Sequence, residues 1–215
     1  MHNSNMEKRL LPVLLFSVAY MLFAAVWVVS HGNSEFLAYI GILLVLAGVV
    51  WWVHRTINIP LSLLWCLSIW GAAHLAGGLV AIPETWPRSG DTAVLYNLWL
   101  WPGWLKYDQL THAYGFGITT WLCWRGLCAA FERKGVTAQP TVGLLTLAAA
   151  ASTGFGALNE VIEFIVTVLV PENNVGGYVN TALDLCFNLL GALIAVVLIR
   201  LKANHTPIIT SNGLR

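Results

Sequence analysis

The 215-residue chain is 58% hydrophobic and only 10% charged, and its mean hydropathy is +0.72. Its apolar runs are too long for the core of a soluble domain of this size, which excludes a globular water-soluble fold. A net charge of +1 without a basic run excludes a nucleic-acid-binding surface. The composition predicts an all-α polytopic membrane bundle of six helices, forming a single integral membrane domain over residues 1–215.

Six apolar stretches are each long enough to cross about 30 Å of hydrocarbon at about 1.5 Å per residue. The first follows Lys8 and Arg9, but its apolar run is too long for a signal peptide and no A-x-A site follows it. The cysteines lie within these stretches without a C-x-x-C pair, which indicates reduced packing residues. The predicted helices span residues 10–30, 36–54, 61–82, 108–130, 142–170 and 178–201, and the cysteines are Cys66, Cys123, Cys128 and Cys186.

The basic residues predict the orientation. With both termini in the cytoplasm, Arg88 and Lys106 are the two basic residues on the outer side. The nine on the inner side are Lys8, Arg9, Arg55, Arg125, Arg133, Lys134, Arg200, Lys202 and Arg215. This positive-inside distribution predicts cytoplasmic termini, with residues 83–107 forming an outer loop.

Three carboxylates and two histidines interrupt the predicted spans. The orientation places all five in the outer half of the membrane: they are His74, His112, Glu160, Glu163 and Asp184. A central acidic residue costs about 2.5 to 3.5 kcal/mol on insertion scales, so unrelated accidents are not expected to share one depth. The shared depth predicts one polar site, with Asp108 at its outer rim.

Helical spacing is a second argument for a single site. Polar residues three or four apart lie on the same face of a helix, and a bundle can point such faces at one another to form a carboxylate–histidine site. The sets are Asp108 with His112, Asn159 or Glu160 with Glu163, and Asn180 with Asp184 and Asn188.

Each residue also has a purely structural interpretation. His74 could bond a backbone carbonyl, Asp108 could cap its own helix, and Asp184 could join an interhelical ladder of asparagines. Glu160 and Glu163 are harder to explain in this way. Two carboxylates on one face in hydrocarbon need a metal, a basic partner or a retained proton, and no lysine or arginine is predicted at their depth.

The order of the motifs resembles that of known membrane proteins. The blocks are His74-Leu-Ala-Gly77-Gly78, Tyr107-Asp108-x3-His112, Asn159-Glu160-x2-Glu163 and Asp184-x3-Asn188-x2-Gly191-Ala192. Over roughly residues 61–195 they resemble the YjdF-type bacterial inner-membrane proteins, whose activity is not established. The last three blocks also resemble VanZ-like proteins, which are associated with glycopeptide resistance. Glu163 in place of a glutamine and Gln109 in place of a lysine favour the YjdF type.

The first functional hypothesis is an enzyme that acts on an envelope lipid or lipid-linked substrate. A divalent metal (Zn, Mn, Fe or Mg) would bind mixed nitrogen and oxygen ligands, activate water and polarise a phosphoryl or acyl oxygen. In this hypothesis the metal ligands are His112, Glu160, Glu163 and Asp184. The general acid or base is His74 or Asp108, and the supporting amides are Asn159, Asn180 and Asn188.

Two other functions stay open. One is a non-catalytic lipid-binding or envelope-assembly protein in which the polar cluster joins helices. The other is a proton- or ion-coupled transporter, which is disfavoured because the inner halves of the helices carry no matching polar path and the chain shows no evident internal repeat.

The predicted outer loop is rich in tryptophan and too apolar for disorder. We expect Trp99, Trp101 and Trp104 to lie at the outer interface, where they would either roof the polar site and guide a lipid headgroup or serve as a plain aromatic anchor.

Overall fold

The computed structural model describes residues 2–32, 34–169 and 176–204. Within these ranges the chain forms six α-helices. They are α1 (His2–His31), α2 (Ser34–Ile57), α3 (Leu61–Leu79), α4 (Tyr107–Glu132), α5 (Val142–Leu169) and α6 (Tyr178–Asn204).

Each predicted helix coincides with one of these helices, but several ends differ. The predicted third helix continues to residue 82, whereas α3 ends at Leu79 because Val80 takes an extended conformation. The Ile82 amide then donates to the Ala93 carbonyl at 2.9 Å, so this segment pairs with the chain that leads to α4. α1 begins at His2 and contains Pro12. Residue 170, the predicted end of the fifth helix, lies outside the described residues.

In the described ranges, five helical stretches are both long and apolar enough to cross a membrane. They are Arg9–His31, Tyr39–Ile57, Leu61–Leu79, Val142–Leu169 and Tyr178–Asn204. The 26-residue helix α4 is about 39 Å long, which is sufficient in length, but its polar residues lower its hydropathy. Those residues include Gln109, His112 and Thr120, all of them buried in the bundle.

Helix α4 lies at the centre of the bundle. It packs most extensively against α6 and also against α5 and α3, while α1 packs against both α3 and α2. Small residues bring the backbones of α4 and α6 into direct contact. A Cβ added at Gly191 would overlap the Ala113 carbonyl oxygen, and one at Gly117 would lie 3.2 Å from the Gly191 carbonyl oxygen. These contacts align the polar faces of the two helices.

The segment between α3 and α4 is an ordered cap rather than an irregular loop. It contains a 3-10 turn at Leu95–Asn97 and an antiparallel hairpin of β1 (Trp99–Trp101) and β2 (Leu105–Lys106). Two isolated bridges within this segment, Ala81 with Val94 and Arg88 with Leu98, hold its strands together. Because β2 leads directly into α4, the hairpin fixes the position of Lys106 at the start of that helix.

Candidate functional site

The first turn of α4 directs Asp108 into the bundle. Lys106 is the N-cap residue, and its amide donates to the Gln109 side-chain oxygen at 2.9 Å. The Asp108 carboxylate instead accepts a hydrogen bond from the Asn180 amide at 3.4 Å. The interpretation of Asp108 as a helix cap is therefore wrong, because Gln109 serves the N-cap amide and Asp108 faces α6.

His112 joins the three helices that build the site. It is buried one turn below Asp108, and its Nε2 lies 3.7 Å from Asp108 Oδ1. Its Nδ1 lies 3.8 Å from Glu160 Oε1 on α5 and 3.0 Å from Asn188 Oδ1 on α6. His112 therefore contacts a carboxylate on each side, with an asparagine to orient its ring.

Two sets of potential metal ligands share His112. Asp108, His112 and Asp184 form one set, and His112, Glu160 and Glu163 form the other; within each, the ligand atoms lie within 4.8 Å of one another. Ligands bound to one ion at about 2.0 to 2.6 Å lie at most about 5 Å apart. These histidine and carboxylate groups are thus close enough to hold a metal, and one nitrogen with several carboxylate oxygens suits Zn, Mn or Fe.

Buried oxygens at the centre of the site lack protein partners. Asp184 is fully buried and Glu160 is 8% exposed. Among the described residues, neither Glu160 oxygen nor Asp184 Oδ1 has a hydrogen-bond partner. Burying a carboxylate with open lone pairs is costly, and a cation removes that cost. The donor set therefore fits a divalent ion.

Two asparagines donate hydrogen bonds to carboxylates of the cluster. The Asn180 amide donates to Asp184 Oδ2 at 2.5 Å, and the Asn159 amide donates to Glu163 Oε1 at 2.8 Å. Asn180 thus bonds both Asp184 and Asp108, but within the described part of the chain Asp184 Oδ1 has no partner. The asparagine bonds alone do not account for the buried charge.

Lys106 is a buried cation beside Asp108, at the start of α4. It is only 6% exposed, donates through Nζ to Asn180 Oδ1, and lies 3.7 Å from Asp108 Oδ2. The sequence places it at the interface, and only the hairpin shows that it turns inward. An ammonium group at this position partly balances the acidic cluster and adds an anion-binding group.

His74 lies beside the ligand sets and belongs to neither of them in the described part of the chain. Its Nδ1 shares a 2.6 Å hydrogen bond with the Tyr96 hydroxyl. Burial raises the pKa of Tyr96 well above its ordinary value, so the phenol stays protonated at neutral pH. Sequence reasoning did not assign Tyr96 to the site. The one sequence feature that pointed to a close contact here is Gly77, because a Cβ at that position would overlap the Tyr96 ring.

A cavity of about 520 Å³ covers the site between the cap that joins α3 to α4 and the start of α6. Trp99 belongs to its wall. Trp101 and Trp104 are 68% and 78% exposed and lie outside the wall formed by the described residues. Its polar groups include His74, Tyr96, Lys106, Asp108, Glu163 and Asn180.

One family model, described as a predicted membrane protein family (DUF2238), matches residues 11–205. No curated protein and no solved structure shows detectable similarity to the chain. The match is consistent with the YjdF-type resemblance, whereas the VanZ-like resemblance stays a prediction. The match covers most of the chain and all of the polar site. The chain is therefore a multi-pass membrane protein that belongs to the DUF2238 family.

Proposed function

We propose that this protein is a divalent-metal-dependent enzyme that hydrolyses a phosphate ester or diphosphate of an envelope lipid or lipid-linked substrate. The observation that carries the proposal is the open oxygens of Glu160 and Asp184. They are buried on two different helices and lie beside one shared histidine, His112. Such an arrangement is costly as a mere packing device and suited to a cation.

The proposed roles follow from the positions of the side chains. His112, Glu160, Glu163 and Asp184 hold the ion, which when bound activates water and polarises a phosphoryl oxygen. Lys106 binds the phosphate, because its ammonium group lies in the cavity wall beside the acidic cluster. This buried cation is the reason for preferring a phosphate over an acyl group.

His74 is proposed to move the proton and Asp108 to orient the attacking water. As the water oxygen bonds to phosphorus, His74, held by Tyr96 in the cavity wall, accepts a proton from the water and the phosphorus–oxygen bond to the lipid breaks. The protonated His74 then gives this proton to the leaving oxygen, which returns the imidazole to its neutral form.

Phosphate release by the purified full-length protein tests this proposal. A lipid phosphate monoester and a polyprenyl diphosphate in mild detergent serve as the probes. We expect chelation to abolish release and one of Zn, Mn, Fe or Mg to restore it. Replacing Lys106 with methionine should raise KM by about 10- to 100-fold, which corresponds to the loss of one charged hydrogen bond.

Lys134→Met is the matched control, because Lys134 is exposed at the opposite end of α4. It should leave phosphate release unchanged. Release that persists undiminished after chelation, or that is the same in Lys106→Met as in the wild type, would contradict the proposed function.

We also propose the orientation in which the site functions. All six helices cross a bacterial inner membrane as one domain, both termini are cytoplasmic, and the cavity opens on the outer side. The distribution of basic residues supports this orientation. The central position of α4 supports a sixth span, because its polar side chains are buried by neighbouring helices rather than exposed to lipid.

Reporter fusions after Gly90 and after Lys134 test the orientation. Both residues are exposed in turns, so a fusion at either one interrupts no helix. The Gly90 fusion should report the outer side of the membrane and the Lys134 fusion the cytoplasm. If both report the same side, α4 does not cross the membrane and the proposed orientation is incorrect.

A further inference from the structure

A narrow crevice leads from the site into the apolar part of the bundle. Its walls come from α2, α3 and α5, and we name it the α2–α5 crevice. Its apolar wall consists of Ile42, Leu43, Leu46, Trp70, Gly71 and Ile162. Its polar end is formed by Tyr39, His74, Asn159 and Glu163. It therefore ends at the polar cluster already described.

The crevice and the outer cavity meet at shared side chains. Tyr39, His74 and Glu163 line both of them. On one side of this junction lies a polar space with Lys106, and on the other lies an almost wholly apolar space. A ligand that occupies both must have a polar head and an apolar tail, joined close to Glu163.

The depth of the crevice indicates where its tail-binding part lies. From Tyr39 to Leu46 the wall descends about 10 Å along α2, at about 1.5 Å per residue. This part of α2 belongs to a stretch apolar enough to cross a membrane, and Leu46 is 41% exposed on its surface. The outer face of the crevice therefore borders hydrocarbon, where membrane lipids supply the available ligands.

The width of the crevice favours one kind of occupant. The space open to the centre of a water-sized sphere is about 30 Å³, compared with about 520 Å³ in the outer cavity. A space this narrow excludes a sugar ring, a peptide or a transmembrane helix, but it accepts an unbranched hydrocarbon chain in single file. The larger cavity, which contains Lys106, accommodates a phosphate-bearing headgroup.

We infer that the α2–α5 crevice holds one acyl chain of the substrate, which is a phosphate-bearing acyl lipid. This inference rests on the proposed function, because it places the phosphate of that lipid at Lys106 and its bond to the lipid beside Glu163. The chain enters sideways from the membrane between α2 and α5. The substrate would then reach the site without leaving the bilayer.

Photocrosslinking of the full-length protein in lipid nanodiscs tests the inference. The probe is a lipid phosphate with a diazirine in its acyl chain, and mass spectrometry maps the labelled residues. We expect labelling at Ile42, Leu43 and Leu46. Replacing Ile162 with tryptophan fills the crevice and should reduce this labelling at least about tenfold, because each buried methylene contributes about fourfold to affinity.

Ile165→Trp is the matched control, because Ile165 lies one turn away on α5, is 47% exposed and lies outside the crevice wall. The Ile165→Trp variant should be labelled by the probe to the same extent as the wild type. If Ile162→Trp fails to fold, Leu46→Trp replaces it, with the 60% exposed Leu44 as its control position. Equal labelling of the crevice variant and its control would overturn the inference.

Two further labelling experiments distinguish a failure of this inference from a failure of the proposed function. Asp184→Asn should keep the acyl label although it loses the metal, because labelling needs no turnover. A neutral probe with the same chain and no phosphate should label at least about tenfold less, because it lacks the contact with Lys106. Equal labelling by the neutral probe would overturn the headgroup assignment. Metal-dependent phosphate release without any crevice label would overturn the crevice inference alone.

Discussion

Replacing Asp184 with asparagine is expected to weaken the binding of divalent ions by at least about 100-fold. Loss of a residue that only supports a ligand already weakens metal binding by about 10- to 100-fold, and a ligand should matter more. Asp184 is fully buried, and its Oδ1 has no hydrogen-bond partner among the described residues. Asparagine keeps the shape of the side chain but removes its charge, so the protein should still insert and purify.

Competition between the protein and a chromophoric chelator measures this change. Asp91→Asn is the matched control, because Asp91 is exposed in the outer segment and should not affect the ion. Glu160→Gln and Glu163→Gln should weaken binding in the same direction as Asp184→Asn. An Asp184→Asn variant that binds ions as tightly as the Asp91→Asn control would remove Asp184 from the ligand set.

Replacing Gly191 with alanine is expected to destabilise the protein by about 3 kcal/mol or more. Overpacking usually costs about 1 to 3 kcal/mol, and this position should lie at the upper end because the new methyl group meets backbone rather than a flexible side chain. The obstructing atom is the carbonyl oxygen of Ala113, next to His112. Separating α4 from α6 here would also move His112 away from Asn188.

Thermal unfolding in detergent measures this effect, and an effect of this size should lower the unfolding midpoint by about 6 to 12 °C. Gly154→Ala on α5 is the matched control, because a Cβ there meets no heavy atom within 4 Å. It should be neutral or stabilising by up to about 1 kcal/mol, since alanine favours helix more than glycine does. Similar midpoints for the two variants would show that α4 and α6 do not depend on this close contact.

The helices were predictable because about 20 consecutive apolar residues leave few alternatives to a membrane-length helix. The end of α3 was not predictable, since Val80 and Ile82 are as apolar as the residues before them. Only their partners in the outer cap show that the backbone is extended there. The hairpin was missed for a similar reason: a stretch rich in tryptophan has no clear period, and its pairing depends on distant carbonyls such as that of Pro87.

The proximity of the polar side chains was predictable, because shared depth and helical spacing select the faces that a bundle turns inward. Asp108, His112, Glu160 and Asp184 follow from that reasoning alone. The burial of Lys106 and the bond between Tyr96 and His74 do not, because both depend on how the outer cap folds over the helices. The role of Gln109 also depends on the exact residue at which α4 begins.

The central proposal is that His112 and the buried carboxylates hold a divalent ion. Elemental analysis of the full-length protein, purified in mild detergent without chelators, tests it most directly. We expect about one ion of Zn, Mn, Fe or Mg per chain, retained through gel filtration and removed by a strong chelator. A chain that carries no metal, and takes up none when each of these ions is added, would contradict the proposal.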